Sequence, residues 1–146
     1  MSIPAPSAPM LREFELIASA DPSQEGWLDR MSDAICELFT DDCILEDTST
    51  SDVVHGLSEL WDFCHGFFGG LSNIRIVPNE IINTDHVSTM VLDISGDHTG
   101  ELMGHAPTGR RISYTAVAIY RCNEDNTKVR HETLAYDTGW IESQLR

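Results

Sequence analysis

Two stretches near the N-terminus repeat their apolar residues at the three- and four-residue spacing of an amphipathic helix. In the first stretch, Leu11, Phe14 and Ile17 form an apolar stripe. The second is predicted to begin near Asp21, which can cap a helix that has Pro22 at its first position. Its apolar face consists of Trp27, Leu28, Met31, Ile35, Leu38 and Phe39. The chain is therefore predicted to start with two helices.

A short strand, "CILEDT", and a third helix, "LSELWDFCHGFF", are predicted next, and the helix ends at a pair of glycines. After residue 70 the pattern changes to the alternation of β-strands separated by turn residues. The predicted strands are "NIRIVP", "EIIN", "HVSTMVLDIS", "GELM", "RISYTAVAIYR" and "KVRHETLAYD". Their short connections favour antiparallel pairing.

Helices followed by strands indicate the α+β class, with three N-terminal helices packed in a curved antiparallel or mixed sheet that encloses a pocket. Residues 1–9 are rich in Pro, Ala and Ser and are predicted to form a disordered tail. The length of 146 residues suits one domain, which we expect to span residues 10–146.

The formal charge of −15 narrows the possible partners, because such a surface repels phosphate backbones and anionic lipid headgroups. We therefore expect neither a nucleic-acid nor a membrane partner. No secretory signal or membrane span is evident, and four irregularly spaced cysteines suit reduced thiols, so the expected location is the cytoplasm. Six histidines show no metal-binding spacing and no nucleotide motif is present, so neither a metal nor a cofactor is expected.

Several motifs resemble those of the SnoaL-like polyketide cyclases, a family of the nuclear transport factor 2-like superfamily. They are His98-Thr99-Gly100-Glu101, Pro107-Thr108-Gly109-Arg110, Arg121, Lys128, Asp137 and Gln144-Leu145, together with "LFTDDCILED" and His55-Gly56. The resemblance implies a cone-shaped α+β barrel and a homodimer formed through the broad face of the sheet. The superfamily includes cyclases, dehydratases, isomerases, epoxide hydrolases and non-catalytic modules, so the fold alone does not determine the function.

The acids that the resemblance implies for catalysis are missing from this chain. The acid/base Asp on the last strand of the family's cyclases falls on Leu134, and a polar partner on the preceding strand falls on Ala118. The last-strand Asp of limonene epoxide hydrolases also falls on Leu134. Leu134 and Ala118 are therefore expected to line the pocket as apolar residues, and neither mechanism transfers.

Glu132 is the leading catalytic candidate, because side chains two residues apart on a strand share a face and Glu132 is two residues from Leu134. Tyr114 and Tyr120 on the neighbouring strand should point the same way. Burial would raise the pKa of Glu132 and make it a general acid or base, while Tyr114 could donate a hydrogen bond to a developing oxyanion. Alternatively, Glu132 pairs with one of three arginines at the sheet edge, namely Arg110, Arg111 or Arg130.

Four further residues are candidate ligand contacts. Asp93 interrupts the apolar run "MVLDIS", so it either lines the cavity or lies on the solvent side of its strand. His65 and Trp61 on the third helix could reach the cavity mouth, and His105 in "GHAPTG" could lie at its rim. Each histidine could equally be structural.

The preferred functional hypothesis is a cofactor-independent isomerase or cyclase of secondary metabolism that acts on a bulky hydrophobic small molecule. A non-catalytic binding module is an alternative, because the family's acid positions are apolar here. A third possibility is an epoxide hydrolase or dehydratase with a rearranged acid set, for instance Asp93 with Glu132.

Overall fold

The computed structural model describes residues 2–146, which contain four helices and six strands. The predicted α+β class is confirmed. The helices are α1 (Ala8–Ser19), α2 (Trp27–Cys36), α3 (Gly56–Phe68) and α4 (Thr138–Leu145). The strands are β1 (Phe39–Asp47), β2 (Asp52–His55), β3 (Leu71–Thr84), β4 (Val87–His98), β5 (Arg111–Cys122) and β6 (Val129–Tyr136).

The six strands form one curved, unclosed sheet in the order β2-β1-β6-β5-β4-β3. All neighbouring strands are antiparallel except β1 and β6, which are parallel, so the sheet is mixed. Strand β5 alternates strictly between exposed and buried residues over most of its length, because one face of the sheet packs on the helices. This inner face, with α1 and α3, encloses the core.

The N-terminal segment is part of the packed structure before Met10, although residues 1–9 were predicted to be a disordered tail. Met1 lies outside the described residues. Pro6 and Ser7 are buried, and helix α1 already begins at Ala8. The thiol of Cys122 donates to the carbonyl oxygen of Pro6 at 3.2 Å, so this segment is attached to the end of β5.

Helix α2 starts later than predicted. Asp21 does not cap it: its carboxylate accepts hydrogen bonds from the backbone N–H and hydroxyl of Ser23, within a turn. The helix begins at Trp27, after Gly26, whose φ of 76° lies in the left-handed region that glycine adopts without strain.

Three other predictions of secondary structure are corrected. "NIRIVP" and "EIIN" belong to one strand, β3, whose register against β4 shifts between Pro78 and Glu80. "GELM" is a turn closed by a single bridge between Leu102 and His105, rather than a strand. Strand β2 and helix α4 were not predicted.

Within residues 2–146, no helix combines the length and apolarity needed to cross a bilayer.

Candidate functional site

A cavity of about 60 Å³ lies between helices α1 and α3 and the inner face of the sheet. Most of its wall is apolar, with Phe14 from α1, Phe63 and Phe67 from α3, and Leu92 and Leu134 from the sheet. The polar side chains that line it are Glu13, Cys64, Tyr114, Tyr120, Glu132 and Tyr136. Among the described residues, no Lys, Arg or His lines this cavity, so it favours an uncharged ligand over an anion.

Glu132 reaches the cavity from the middle of β6, where its backbone lies between Leu45 of β1 and Tyr120 of β5. Its exposed fraction is only 7%. Burial raises the pKa of Glu132 well above its usual value, and the negative charges of Glu13 and Asp47 raise it further. Burial in this position therefore favours the protonated form of the Glu132 carboxyl.

The alternative position for Glu132, in an ion pair at the sheet edge, is not formed. Arg111 donates to Oδ1 of Asp97 at 3.0 Å, on the outer face of the sheet. Arg130 donates to the carbonyl oxygen of Cys122, and Arg110 donates to the carbonyl oxygen of Arg146. All three predicted partners thus bind elsewhere.

Glu13 is a second carboxyl of the cavity that the sequence analysis did not identify. Helix α1 buries Met10, Phe14 and Ile17, and Glu13 lies on the same stripe, three residues after Met10. The residue is half-buried and lines the cavity opposite the sheet. Burial raises its pKa to about 8. The detectable signal was an acid at a core-facing helical position.

Tyr114 and Tyr120 both line the cavity from β5. The hydroxyl of Tyr114 is buried and has no hydrogen-bond partner among residues 2–146. Burial, together with the nearby charge of Asp47, raises the pKa of Tyr114, so its hydroxyl stays protonated. Burial and the charge of Glu132 likewise raise the pKa of Tyr120. The Tyr114 hydroxyl is therefore free to donate a hydrogen bond to a ligand in the cavity.

Tyr136 and Asp47 were also absent from the predicted site. The Tyr136 ring lies 6.0 Å from that of Tyr114, and its hydroxyl donates to Oδ2 of Asp47 at 2.6 Å. Asp47 is the last residue of β1 and lies behind the cavity wall. Tyr136 could have been found from its spacing, two residues after Leu134 on the same strand face.

The two positions of the missing family acids face the interior, side by side. Leu134 of β6 pairs in register with Ala118 of β5. Leu134 lines the cavity, whereas Ala118 is fully buried beside it without lining it. Neither position holds a titratable group, which leaves Glu132 as the sheet's carboxyl in this cavity.

None of the four further candidates lines the cavity. Asp93 lies on the outer face of the sheet, where its carboxylate accepts from Nδ2 of Asn79 at 2.6 Å. His65 stacks on Trp61 with ring centroids 4.6 Å apart and contacts Oδ1 of Asp29 at 2.9 Å, which joins α3 to α2. His105 lies 3.6 Å from Oε1 of Glu142. All of these contacts lie away from the cavity.

Potential metal ligands do not cluster in the described structure: no group of three His, Cys, Asp or Glu side chains between residues 2 and 146 is arranged to hold an ion. The polar groups of the cavity are two carboxyls, one thiol and three tyrosine hydroxyls in an apolar wall. Such a set can exchange protons with a ligand and donate hydrogen bonds to an oxygen on which negative charge develops.

Solved structures with this fold cover nearly the whole chain. A SnoaL-like polyketide cyclase from Agrobacterium tumefaciens superposes with a TM-score of 0.69 at 16% identity, covering 99% of this chain and 100% of that chain. IdmH from Streptomyces antibioticus gives a TM-score of 0.70 at 18% identity, covering 96% and 97%. A protein with a ketosteroid isomerase-like fold from Catenulispora acidiphila gives 0.64 at 11%, covering 78% and 81%. At such low identities these superpositions show the fold alone.

No curated protein matches the sequence. The family model described as SnoaL-like polyketide cyclase, in contrast, matches residues 20–145. The match covers both the motifs noted in the sequence and every strand that builds the cavity. The chain therefore belongs to the SnoaL-like polyketide cyclase family.

Proposed function

We propose that this protein is a cofactor-independent isomerase or cyclase that acts on an uncharged, hydrophobic small molecule. One observation carries the proposal: the buried carboxyl of Glu132 and the unpartnered hydroxyl of Tyr114 line the same apolar cavity. Family membership supports the same class of chemistry.

The chemistry is a proton transfer that leaves the composition of the ligand unchanged. A proton leaves a carbon next to a carbonyl group, and the electron pair of the broken C–H bond moves onto the carbonyl oxygen. A carboxylate of the cavity takes up the proton, while Tyr114 and the Glu132 carboxyl donate hydrogen bonds to that oxygen. Return of the proton to another carbon gives an isomer. Attack of the carbon nucleophile on a second carbonyl group, whose oxygen then takes up the proton, gives a ring.

The apolar wall favours rearrangement over hydrolysis, because apolar side chains exclude water from most of the cavity surface. The cavity is much smaller than the roughly 300–1,000 Å³ of typical ligand sites. A bulky ligand therefore requires the side chains at the wall to move. Phe63 and Phe67 are the half-buried aromatic residues of α3 that line it, and we propose that they rotate to admit the ligand.

The proposal is tested by hydrogen exchange in D₂O at the carbon next to the carbonyl of hydrophobic bicyclic ketones, followed by NMR. We expect the protein to accelerate exchange of at least one ketone, and Glu132→Gln to lower the rate by roughly 10²–10⁴-fold. Glu46→Gln is the matched control, because Glu46 is also on the sheet but contacts His131 on the outer face. A Glu132→Gln protein with the full rate would contradict the proposal.

A non-catalytic binding module is the second candidate, and the apolar pair Leu134 and Ala118 favours it. Such a module would bind the same ketones without accelerating exchange, and its affinity would be unaffected by Glu132→Gln. Calorimetric titration of the ketone used in the exchange assay separates the two candidates.

We further propose that two copies of the chain associate through the outer face of the sheet. Val91, Val117 and Ala135 form a row across β4, β5 and β6, and Val117 is 44% exposed. An exposed apolar row on a broad sheet face fits the self-complementary surface of a twofold homodimer.

A further inference from the structure

We propose that the cavity works with two carboxyl groups of different roles, in which Glu13 of α1 is the one that loses its proton and Glu132 of β6 keeps its own. This inference rests on the proposed function, because it assigns the roles of two groups at the same site. It makes Glu13 the base and Glu132 the acid.

The geometry brings the two carboxyls to one cavity from opposite walls. Glu13 comes from the helical side, where Met10, Phe14 and Ile17 anchor α1 in the core. Glu132 comes from the sheet. No basic side chain among residues 2–146 lines the space that they share, so no cation is present to neutralise both. Two carboxyls in such a space resist being ionised together.

The two positions differ in burial, which decides the order of ionisation. Glu132 is held between two neighbouring strands at 7% exposure, whereas Glu13 is half-buried on a helix. The less buried carboxyl loses its proton first, because water stabilises its charge better. Burial raises the pKa of Glu13 to about 8, whereas burial, Glu13 and Asp47 together raise the pKa of Glu132 well beyond its usual value.

The other titratable groups around Glu13 and Glu132 do not change the order in which the two carboxyls ionise. They are Asp47 and Cys43 of β1, Cys36 of α2, Cys64 of α3, Tyr114 and Tyr120 of β5, and Tyr136 of β6. Burial raises the pKa values of these thiols and phenols, so they stay neutral while Glu13 titrates. The charge of Asp47 acts against the ionisation of Glu132, so Glu13 is again the first of the two carboxyls to ionise.

The division of roles completes the proton transfer. The Glu13 carboxylate removes the proton from the carbon, and the electron pair moves to the carbonyl oxygen, which accepts hydrogen bonds from the Glu132 carboxylic acid and from Tyr114. Glu13 then returns its proton to another carbon as the carbonyl group re-forms. Glu132 ends each cycle with the proton it had at the start, so neither water nor an oxidant is consumed.

Helix α1 lies outside the residues that the family model matches, which begin at residue 20. The second acid is therefore supplied by a segment that the family model does not match. Its position across the cavity offers a physical reason why the last-strand position of the family's acid can be Leu134 here: the charge is provided from the helical wall instead.

The test is a ¹³C NMR titration of the glutamate carboxyls in the full-length protein, without ligand. We expect one buried carboxyl to titrate near pH 8 and a second to stay protonated to higher pH. Glu13→Gln should remove the step near pH 8 and lower the pKa of the remaining buried carboxyl. Glu132→Gln should keep the step, and Glu15→Gln, an exposed control on the same helix, should change neither.

Two results would overturn the proposal: titration of both wild-type carboxyls below pH 6, or survival of the step near pH 8 in Glu13→Gln. The first result is measured on the wild-type protein, so the proposal can be overturned even if a variant does not fold. In the exchange assay, Glu13→Gln should lower the rate by roughly 10²–10⁴-fold, as expected when a general base is lost. A full rate in Glu13→Gln with no exchange in Glu132→Gln would reject the carboxyl pair and retain the proposed function. If the carboxyls titrate as expected but no form of the protein exchanges any ketone, the carboxyl pair is retained and the proposed function is rejected.

Discussion

The hydroxyl of Tyr136 donates a 2.6 Å hydrogen bond to Oδ2 of Asp47, a carboxylate that is only 1% exposed. Oδ1 of the same carboxylate accepts from the backbone N–H groups of Ser49 and Thr50. The Ser49 hydroxyl in turn donates to the carbonyl oxygen of Tyr136 at 2.7 Å. These bonds tie the end of β6 to the turn after β1 and fix one wall of the cavity.

Tyr136→Phe should destabilise the protein by about 1–3 kcal/mol, because it leaves the buried Asp47 carboxylate with one donor fewer. The free energy of unfolding, measured with urea, checks this. Tyr114→Phe is the matched control: it also removes a buried hydroxyl, but one without a partner, and should leave stability unchanged or slightly higher. Equal losses in the two variants would contradict a stabilising role for the Asp47 contact.

The same Tyr114→Phe variant, which should keep its stability, should lose catalytic activity. Loss of one donor to a developing oxyanion lowers kcat by roughly 10²–10³-fold in enzymes that depend on it. We expect a decrease of that order in the rate of ketone exchange, with the fold intact. An unchanged rate would show that the Tyr114 hydroxyl does not contact the reacting oxygen.

The stability of the protein should fall as pH rises from about 4.5, the usual value for Glu, to about 8, the pKa of Glu13. Both cavity carboxyls have raised pKa values in the folded protein, so they release their protons at lower pH in the unfolded chain than in the folded protein. A rise in pH through this interval therefore stabilises the unfolded state relative to the folded state. Each unit of pKa difference corresponds to about 1.4 kcal/mol. Urea unfolding at pH 5 and pH 8 measures the effect.

Glu132→Gln should reduce this loss of stability between pH 5 and pH 8, because one of the two carboxyls no longer ionises on unfolding. Glu15→Gln should leave the loss as in the wild type, because Glu15 is exposed and paired with Arg12. A wild-type protein that gains stability over this interval would show that the carboxyls are not buried in their protonated forms.

The long, strongly alternating strands were predictable from the sequence, whereas the short elements were not. "RISYTAVAIYR" alternates along almost the whole of β5, and the alternation exists because one face of that strand packs on the helices. "GELM" has the composition of a strand but forms a turn, in which Met103 and Gly104 have φ values of 50° and 80°. Four residues are too few for periodicity to distinguish these cases.

The candidate site was predictable only where it lies on strands. Glu132 and Tyr114 follow from a period of two, once the inner face of β5 and β6 is known. Glu13 was missed because an acid between apolar helical positions resembles an ordinary surface residue, and only the packing of α1 against the sheet places it at the cavity. His65, Trp61 and His105 were assigned to the cavity because the sequence does not reveal partners as distant as Asp29 or Glu142.

Gly100 of the family's "HTGE" motif allows the chain after β4 to approach the C-terminal end of α3. Its N–H donates to the carbonyl oxygen of Gly70 at 3.2 Å, and a Cβ at this position would overlap the carbonyl oxygen of Gly69. Gly100→Ala should therefore destabilise the protein by about 1–3 kcal/mol, as overpacking does. Gly66→Ala is the control, because Gly66 is an exposed residue of α3 with open space around it, and should be neutral or stabilising.

Val117→Glu should convert the proposed homodimer to a monomer without unfolding it. Val117 lies in the centre of the apolar row on the outer face, between Val91 and Ala135, so in a twofold dimer its carboxylate would be buried close to the corresponding charge of the other copy. Sedimentation velocity measures the change in mass. Val53→Glu is the control: Val53 is similarly exposed, at 50%, but belongs to β2, three strands from β5 at the edge of the sheet. A wild-type protein that sediments as a monomer, or a Val117→Glu protein that remains dimeric, would exclude this face as the dimer interface.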